Sequence, residues 1–334
     1  MAVKLKDIAK IADVSEATVS LALNGNTIVN IETRKRIIKI ADELGYVPNP
    51  YARKLALNKS GMFGLIIPDI ENFYYASFVN YINKYTRRTN YGLSIAISEN
   101  SRKIEANIIS EMIVNRVEGL FIVPVNKPNQ DIGYFSRLDE AGIPYIFTTS
   151  KYDGIDGNCI MCDLKNGMYE LIKFLFGRGY KKITYISGPK GVYTLDLRES
   201  GYREAINDDN NIIHREFFCG EVTYNEACDV ARYLIENKID TDVIVCVNDT
   251  MAIGVVNTLN SYGINVPDDI AVCGFDNIIF STTSAVSLTT VEQDIESEAK
   301  QSVELLLNII NKKASVKDNE IIIPTKLIIR NSTK

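Results

Sequence analysis

"DIAKIADVSEATVSLALNG", residues 7–25, starts as a helix, stops at Asp13-Val14 and restarts on a serine. Ile8, Ala9 and Ala12 fall on one face of a short first helix. Ser15 is a good N-cap for a second, because its hydroxyl can accept from a backbone N–H of the first turn. Val19, Ala22 and Leu23 then form the buried stripe of that second helix, and Val14 is placed to fill the angle between the two. The opposite face carries Glu16, Ala17, Ser20, Leu21 and Asn24, with Thr18 beside it. A short-chained face left free on the second of two steeply crossed helices is what a helix-turn-helix needs to enter a DNA major groove. A plain helical bundle has the same apolar spacing, so this stretch alone leaves both readings open.

A third helix is expected from Asn30, its cap, through Ile31, Arg34, Ile37, Ile38, Ala41 and Leu44 to Gly45. Residues 45–61, "GYVPNPYARKLALNKSG", read as a linker with room for about two helical turns, too few to be stable alone in water. Charge is divided along the chain. Residues 1–60 hold ten Lys/Arg and six Asp/Glu, whereas the whole chain of 334 residues has a net charge of −5. A basic head on an acidic body points to a polyanion partner for the head only.

From residue 63 the texture changes. Apolar runs of strand length (63–67, 93–98, 119–123, 145–148, 182–187, 243–247, 270–274 and, at the end, 326–329) alternate with amphipathic helical segments, including one at 295–310. Continuous apolar strands of this kind belong to parallel sheets built from βαβ units. Ligands of such sheets sit beyond the carboxyl ends of strands, which selects residues 69–75, 148–150, 188–198, 248–249 and 276. The hydrophobic content of 46% fits a globular chain of two or three domains. No run of eighteen apolar residues predicts a membrane span. The charged start predicts no signal peptide, and six cysteines without a framework spacing predict reduced thiols, so a cytoplasmic protein without membrane contact is expected.

Enzyme readings find little support. His214 is the only histidine and is read in a polar loop with no patterned nucleophile around it. Neither a P-loop nor GxGxxG occurs. Cys159 and Cys162 have CxxC spacing but lack a second pair, and read as small apolar fillers in a strand that crosses between subdomains. The pairs Asp208-Asp209 and Asp268-Asp269 read as solvated turns. No catalytic residue, metal or cofactor is expected.

Six stretches, in order, resemble the LacI family of bacterial transcription regulators: "IADVSEATVSLALNG", "TRKRIIKIADELGYVPNPYARKL", "GLIIPDIENFYYASF", "RESGYREAI", "VNDTMAIGVVNTLNSYGINVPDDIAVCGFDN" and "IIRNSTK". The resemblance covers essentially the whole chain. It implies an all-α helix-turn-helix headpiece (1–49), a hinge helix and linker (50–60), and an α/β core like a periplasmic sugar-binding protein (61–330). The core's N-subdomain would comprise about 61–161 and 293–322, and its C-subdomain about 162–290 and 324–330. It further implies a homodimer on a near-palindromic double-stranded operator, a repressor of a carbohydrate-utilisation operon switched by a small sugar-type effector.

By that resemblance Ser15, Glu16, Ala17, Thr18, Ser20, Leu21 and Asn24 face DNA, with Thr18, Ser20 and Asn24 on phosphates. Leu21 departs from the arginine many members carry for guanine. Arg53 and the hinge leucine Leu55 join this set, Leu55 as a minor-groove wedge. In the core, Arg198 and Asp276 match the family's effector residues, with Asn248, Gln293 and Thr149 further along the cleft, and Tyr74 and Tyr75 at its mouth. A guanidinium fork and a carboxylate suit hydroxyls. Val222 in "CGEVTYNEA" replaces an aromatic that many members carry, and Tyr224 is the candidate substitute. A second branch, the catabolite-control regulators, takes a phosphorylated carrier protein as corepressor, and a nucleobase effector is a third possibility. Glu304 stands where the catabolite-control branch would want an arginine for phosphoserine.

Overall fold

A computed structural model describes residues 3–23, 27–46, 60–128, 132–152, 154–155, 157–209, 211–313 and 320–334. Asn24, the expected hinge helix, Arg53 and Leu55 lie outside the described residues. The chain forms two compact units, Met1–Ser60 and Gly61–Lys334.

In the first unit, α1 (Leu5–Ala12), α2 (Glu16–Leu23) and α3 (Ile31–Glu43) enclose a small core of Ile8, Ala9, Ala12, Val19, Ala22, Val29, Ile37 and Ala41. α1 stops because Asp13 turns left-handed at φ 50°, a conformation short polar side chains tolerate. Ser15 restarts the chain: its Oγ accepts from the Thr18 N–H at 3.1 Å. Val14 packs on the core from the turn, as expected. α3 is capped by Asn30, whose Oδ1 accepts from the Glu32 N–H at 2.9 Å, and is followed by Gly45 at φ +64°. Arg36 on α3 donates to the Ala12 carbonyl at 2.9 Å, which satisfies the end of α1. Two residues of the expected α3 stripe, Ile31 and Ile38, are exposed; the small core is already closed by Ile37 and Ala41.

The second unit holds two parallel sheets. The first contains β1 (Met62–Ile67), β2 (Gly92–Ile97), β3 (Gly119–Ile122), β4 (Tyr145–Thr148), β5 (Asn158–Cys162) and a late strand at Glu320–Ile323, in the order late strand-β5-β4-β3-β1-β2. The helices between them are α4 (Phe73–Thr86), α5 (Arg102–Val114) and α6 (Ser136–Ala141). The chain then leaves through α7 (Leu164–Gly177). It builds the second sheet from β6 (Lys182–Ser187), β7 (Ile213–Phe218), β8 (Val243–Cys246) and β9 (Ala271–Cys273), ordered β7-β6-β8-β9. α8 (Tyr193–Asn207), α9 (Tyr224–Glu236), α10 (Asp249–Ser261) and the short α11 (Phe280–Thr283) complete this half. The return runs through β10 (Thr290–Glu292) and α12 (Ile295–Ile310) to β11, the late strand, and then β12 (Lys326–Ile328). β12 pairs antiparallel with β10, outside both parallel sheets.

Several strand ends pass straight into a capped helix. Asn72, Asp163, Asn248 and Asp294 each accept from a backbone N–H of the helix that follows, at 2.9–3.1 Å. Two of these capping residues, Asn72 after β1 and Asn248 after β8, line one cavity. α7 and α8 pack so closely that a Cβ on Gly201 would stand 2.0 Å from the Lys165 carbonyl oxygen.

Three sequence expectations need correction. His214 lies in β7, paired in register with Ile183, not in a loop. β7 is an edge strand with one half-wet face, so "IHREFF" lacks the apolar run of a central strand. β10 and β11 were not expected as separate strands; β5, the CxxC segment read as a strand, is a fully buried strand of the first sheet.

Candidate nucleic-acid interface and ligand cleft

On α2, Ser15, Glu16 and Ala17 are exposed. Thr18, Ser20 and Leu21 are half-buried. Leu21 rests partly against the three-helix core, and the Thr18 hydroxyl is 2.8 Å from that of Ser15. The exposed start of α2 therefore presents short side chains and one carboxylate.

In the second unit, Arg198 on α8 and Asp276 beyond β9 form a buried ion pair. Arg198 Nη2 donates to Asp276 Oδ1 at 2.9 Å, and Nη1 donates to the Val247 carbonyl at 3.0 Å. The guanidinium lies over the Phe275 ring at 4.3 Å, and Nε is buried with no partner among the described residues. Asp276 is held by its own N–H, which donates to Val291 at 2.8 Å, in a backbone conformation (φ 107°) that L residues rarely adopt. Burial pushes its carboxyl up to about 6, against the pull of Arg198 and Gln293.

Gln293 joins this pair to the other half: Nε2 donates to Asp276 Oδ1 at 2.7 Å, and Oε1 lies 3.1 Å from the Tyr74 hydroxyl. Tyr74 also reaches Glu298 Oε2 at 3.1 Å. Tyr74 is thus not an open aromatic face at the mouth. It is buried, because Tyr74, Phe78 and Ile82 form the inward stripe of α4, and burial holds its phenol well above the usual range. Tyr75 is half-buried; its hydroxyl accepts from Asn126 Nδ2 at 2.7 Å. Thr149, at φ 63°, is buried with its N–H donating to Ile160 at 2.9 Å. It stands beside Glu298, not on the cavity.

A cavity of about 420 Å³ opens between the halves, lined by Asp69, Glu71, Asn72 and Phe73 from one side and by Val222, Tyr224, Asn248, Ile253 and Phe280 among others from the opposite side. Asn248 spends Oδ1 on the α10 cap, which leaves its amide nitrogen as the group it can turn to a ligand. Phe73 and Phe280, each more than 40% exposed, meet edge to face at 4.5 Å and bridge the halves at this cavity. Beneath the floor, Asp249 accepts from Thr290 Oγ1 at 2.6 Å and from the Ile278 N–H at 2.9 Å; burial and then Asp276 raise its carboxyl well above the usual range.

Of the expected cleft residues, Arg198, Asp276, Gln293 and Tyr74 are brought into one hydrogen-bonded chain, and Asn248 lines the cavity. Sequence reading missed Glu298 and Phe280, whereas Phe73 fell within the selected stretch 69–75. Glu298 had a visible signal: it falls on the same stripe of α12 as Ser302, Leu305, Leu306 and Ile309, which makes it a carboxylate facing inward.

Known proteins bear on both units. Residues 4–49 match the family described as bacterial regulatory proteins, lacI family, and residues 172–333 match the periplasmic binding protein-like domain. The chain is 30% identical over 336 residues to the HTH-type transcriptional repressor PurR of Histophilus somni (strain 129Pt), covering 99% of this chain and 98% of that protein. It is 28% identical over 341 residues to the catabolite control protein A of Priestia megaterium, covering all of both. Its fold matches the lac repressor dimer solved with operator and the anti-inducer ONPF, with a TM-score of 0.87 at 24% identity over 100% of this chain and 99% of that one. These relatives are transcriptional repressors, not enzymes. The chain belongs to the lacI family of bacterial regulatory proteins and is a DNA-binding transcriptional regulator.

Proposed function

We propose that the chain represses a carbohydrate-utilisation operon as a homodimer on a near-palindromic operator, and that an uncharged sugar in the core cleft switches it. The observation that carries this reading is the buried Arg198–Asp276 pair, tied through the Val247 carbonyl to the backbone just before Asn248, which lines the cavity. Arg198 and Asp276 offer a donor fork and an acceptor to adjacent hydroxyls, and the unpartnered Arg198 Nε supplies one further donor. Phe73, Val222, Tyr224 and Phe280 give the apolar surface that suits the C–H face of a pyranose. Charge argues for a neutral ligand. The described lining holds Asp69 and Glu71 and no lysine or arginine, and the charge of Arg198 is already matched by Asp276. A sugar phosphate or hexuronate would bring a further anion to that wall.

The DNA-facing set is Ser15, Glu16, Ala17, Thr18, Ser20 and Leu21 on the first unit, with Asn24, Arg53 and Leu55 assigned from sequence. The catabolite-control reading has in its favour the likeness to a catabolite control protein, and against it Glu304, an exposed carboxylate where phosphate would have to dock.

The deciding experiment is a thermal-shift screen of the full chain against neutral mono- and disaccharides, sugar phosphates, hexuronates and nucleobases. A ligand present at about a hundred times its Kd adds about 2.7 kcal/mol. Neutral sugars should stabilise and then alter operator affinity. A response confined to phosphates, uronates or nucleobases overturns the sugar assignment.

A further inference from the structure

The hydrogen-bonded chain that starts at Arg198 ends on Glu298, and its proton count does not close with an ionised carboxylate. Gln293 Nε2 donates to Asp276 at 2.7 Å, which fixes the amide so that Oε1 faces Tyr74 at 3.1 Å. Tyr74 therefore meets two acceptor oxygens, Gln293 Oε1 and Glu298 Oε2, each at 3.1 Å, with one phenolic proton to give. If Glu298 carries a proton, every link has a donor. Glu298 donates to Tyr74, Tyr74 to Gln293, and Gln293 to Asp276, which also accepts from Arg198.

The surroundings favour the neutral form. Glu298 is fully buried. The titratable groups that face it are Tyr74 from α4, Cys159 and Cys162 from β5 and Asp294 at the cap of its own helix, with Asp276 behind Tyr74. All of these are acids. The main-chain N–H of Thr149 lies near it but donates to Ile160, Glu298 Oε1 is buried with no hydrogen-bond partner among the described residues, and no described lysine or arginine makes an ion pair with it. Burial accordingly pushes the carboxyl up to about 8.

We propose that Glu298 is a positioning residue held as a neutral carboxylic acid, and that its proton sets the direction of the hydrogen-bond chain tying Asp276 to α12. On ionisation Tyr74 turns its proton to the carboxylate, Gln293 Oε1 is left facing a lone pair, and the tie between the two halves of the core weakens. This concerns the chain without ligand and stands apart from the sugar reading.

The test is urea unfolding of the full chain, wild type against Glu298→Gln, from about pH 5 to about pH 9. Gln keeps the donor and cannot ionise. A raised carboxyl gives stability that is present below its unfolded pKa and lost as pH rises through its folded one. The ratio of wild-type to variant folding constants should thus fall by up to about tenfold per pH unit and level off above the folded value. A ratio that stays flat across the window means an ionised Glu298 and overturns the proposal. Infrared difference spectra of the wild type against Glu298→Met near neutral pH give a second readout. A protonated-carboxyl C=O band assigned to Glu298 is expected, and a carboxylate band in its place overturns it.

Discussion

Arg198 Nη2 lies 2.9 Å from Asp276 Oδ1, with both side chains more than nine-tenths out of water, and Gln293, whose Oε1 faces Tyr74 on α4, binds the same carboxylate oxygen at 2.7 Å. One atom of Asp276 is thereby where the two halves meet. A ligand that engages this carboxylate or its partners changes the balance between arrangements of the core by the difference in its contacts with each.

Arg198→Ala removes one member of a buried pair and leaves a charge without a partner. It should cost about 3–5 kcal/mol of stability, read from urea unfolding. Arg198→Lys keeps the charge and forfeits the fork that serves Asp276 and the Val247 carbonyl together. This variant should fold, bind operator and lose its response to effector. An unchanged effector affinity in Arg198→Lys would remove Arg198 from the ligand site.

Asp276 supplies a pH dependence with a definite sign. Its carboxyl is pushed up from 3.8 to about 6 by burial, so the folded state holds the proton longer than the unfolded chain. The associated stability is present at low pH and is lost as pH rises towards 6. Compared with Asp276→Asn, the wild type should lose relative stability across that window and run parallel above it. Chemical denaturation of both chains at several pH values measures this.

Gly274 sits where the end of β9 presses on the α10 cap. A Cβ there would meet Asp249 Oδ1 at 2.1 Å and Asp249 Cα at 3.0 Å. Gly274→Ala should destabilise the core by about 1–3 kcal/mol through overpacking. It also disturbs the carboxylate that receives the Thr290 hydroxyl and the Ile278 N–H. A thermal midpoint equal to that of the wild type would contradict this.

Ser15 holds the restart of the helix pair in place. Ser15→Ala removes the acceptor of the Thr18 N–H, which should cost the headpiece about 0.5–2 kcal/mol and raise amide exchange across residues 15–23. DNA affinity should fall on operator and random sequence alike, since the cap orders the helix without reading bases. Binding isotherms on both DNAs, with salt varied to expose phosphate contacts, would detect a loss confined to one of them.

The legible parts of the fold were those in which one physical rule acted alone. Ser15 and Asn30 were readable as caps because nothing else competes for a hydroxyl or amide at a helix start. β1, β3, β4 and β8 were readable as continuous apolar runs because both faces are buried. Two of the edge strands hid: β7 and β11 keep a wet face, and the apolar residues of β7 are interrupted by His214, Arg215 and Glu216. Arg198 and Asp276 stand in motifs, so their meeting could be expected. The Tyr74–Glu298 contact spans 224 positions of chain, and no local pattern announces a bond of that length. Tyr74 itself was misplaced although its spacing to Phe78 and Ile82 already pointed inward.

The sheet order has a consequence for biosynthesis. β5 takes its outer neighbour from β11, with Glu320 opposite Cys159 and Ile323 opposite Cys162, so the first sheet receives its sixth strand after the second sheet has been made. At a synthesis rate of about 5–20 residues per second, that interval is on the order of ten seconds. Throughout it, a growing chain presents the apolar edge of "NCIMC" with its backbone groups unpaired, the template on which strands of other chains can add. Neither half of the core is a continuous stretch of sequence. A truncation before residue 320 therefore removes the strand that shields β5, and such a fragment should aggregate rather than persist as a smaller folded core.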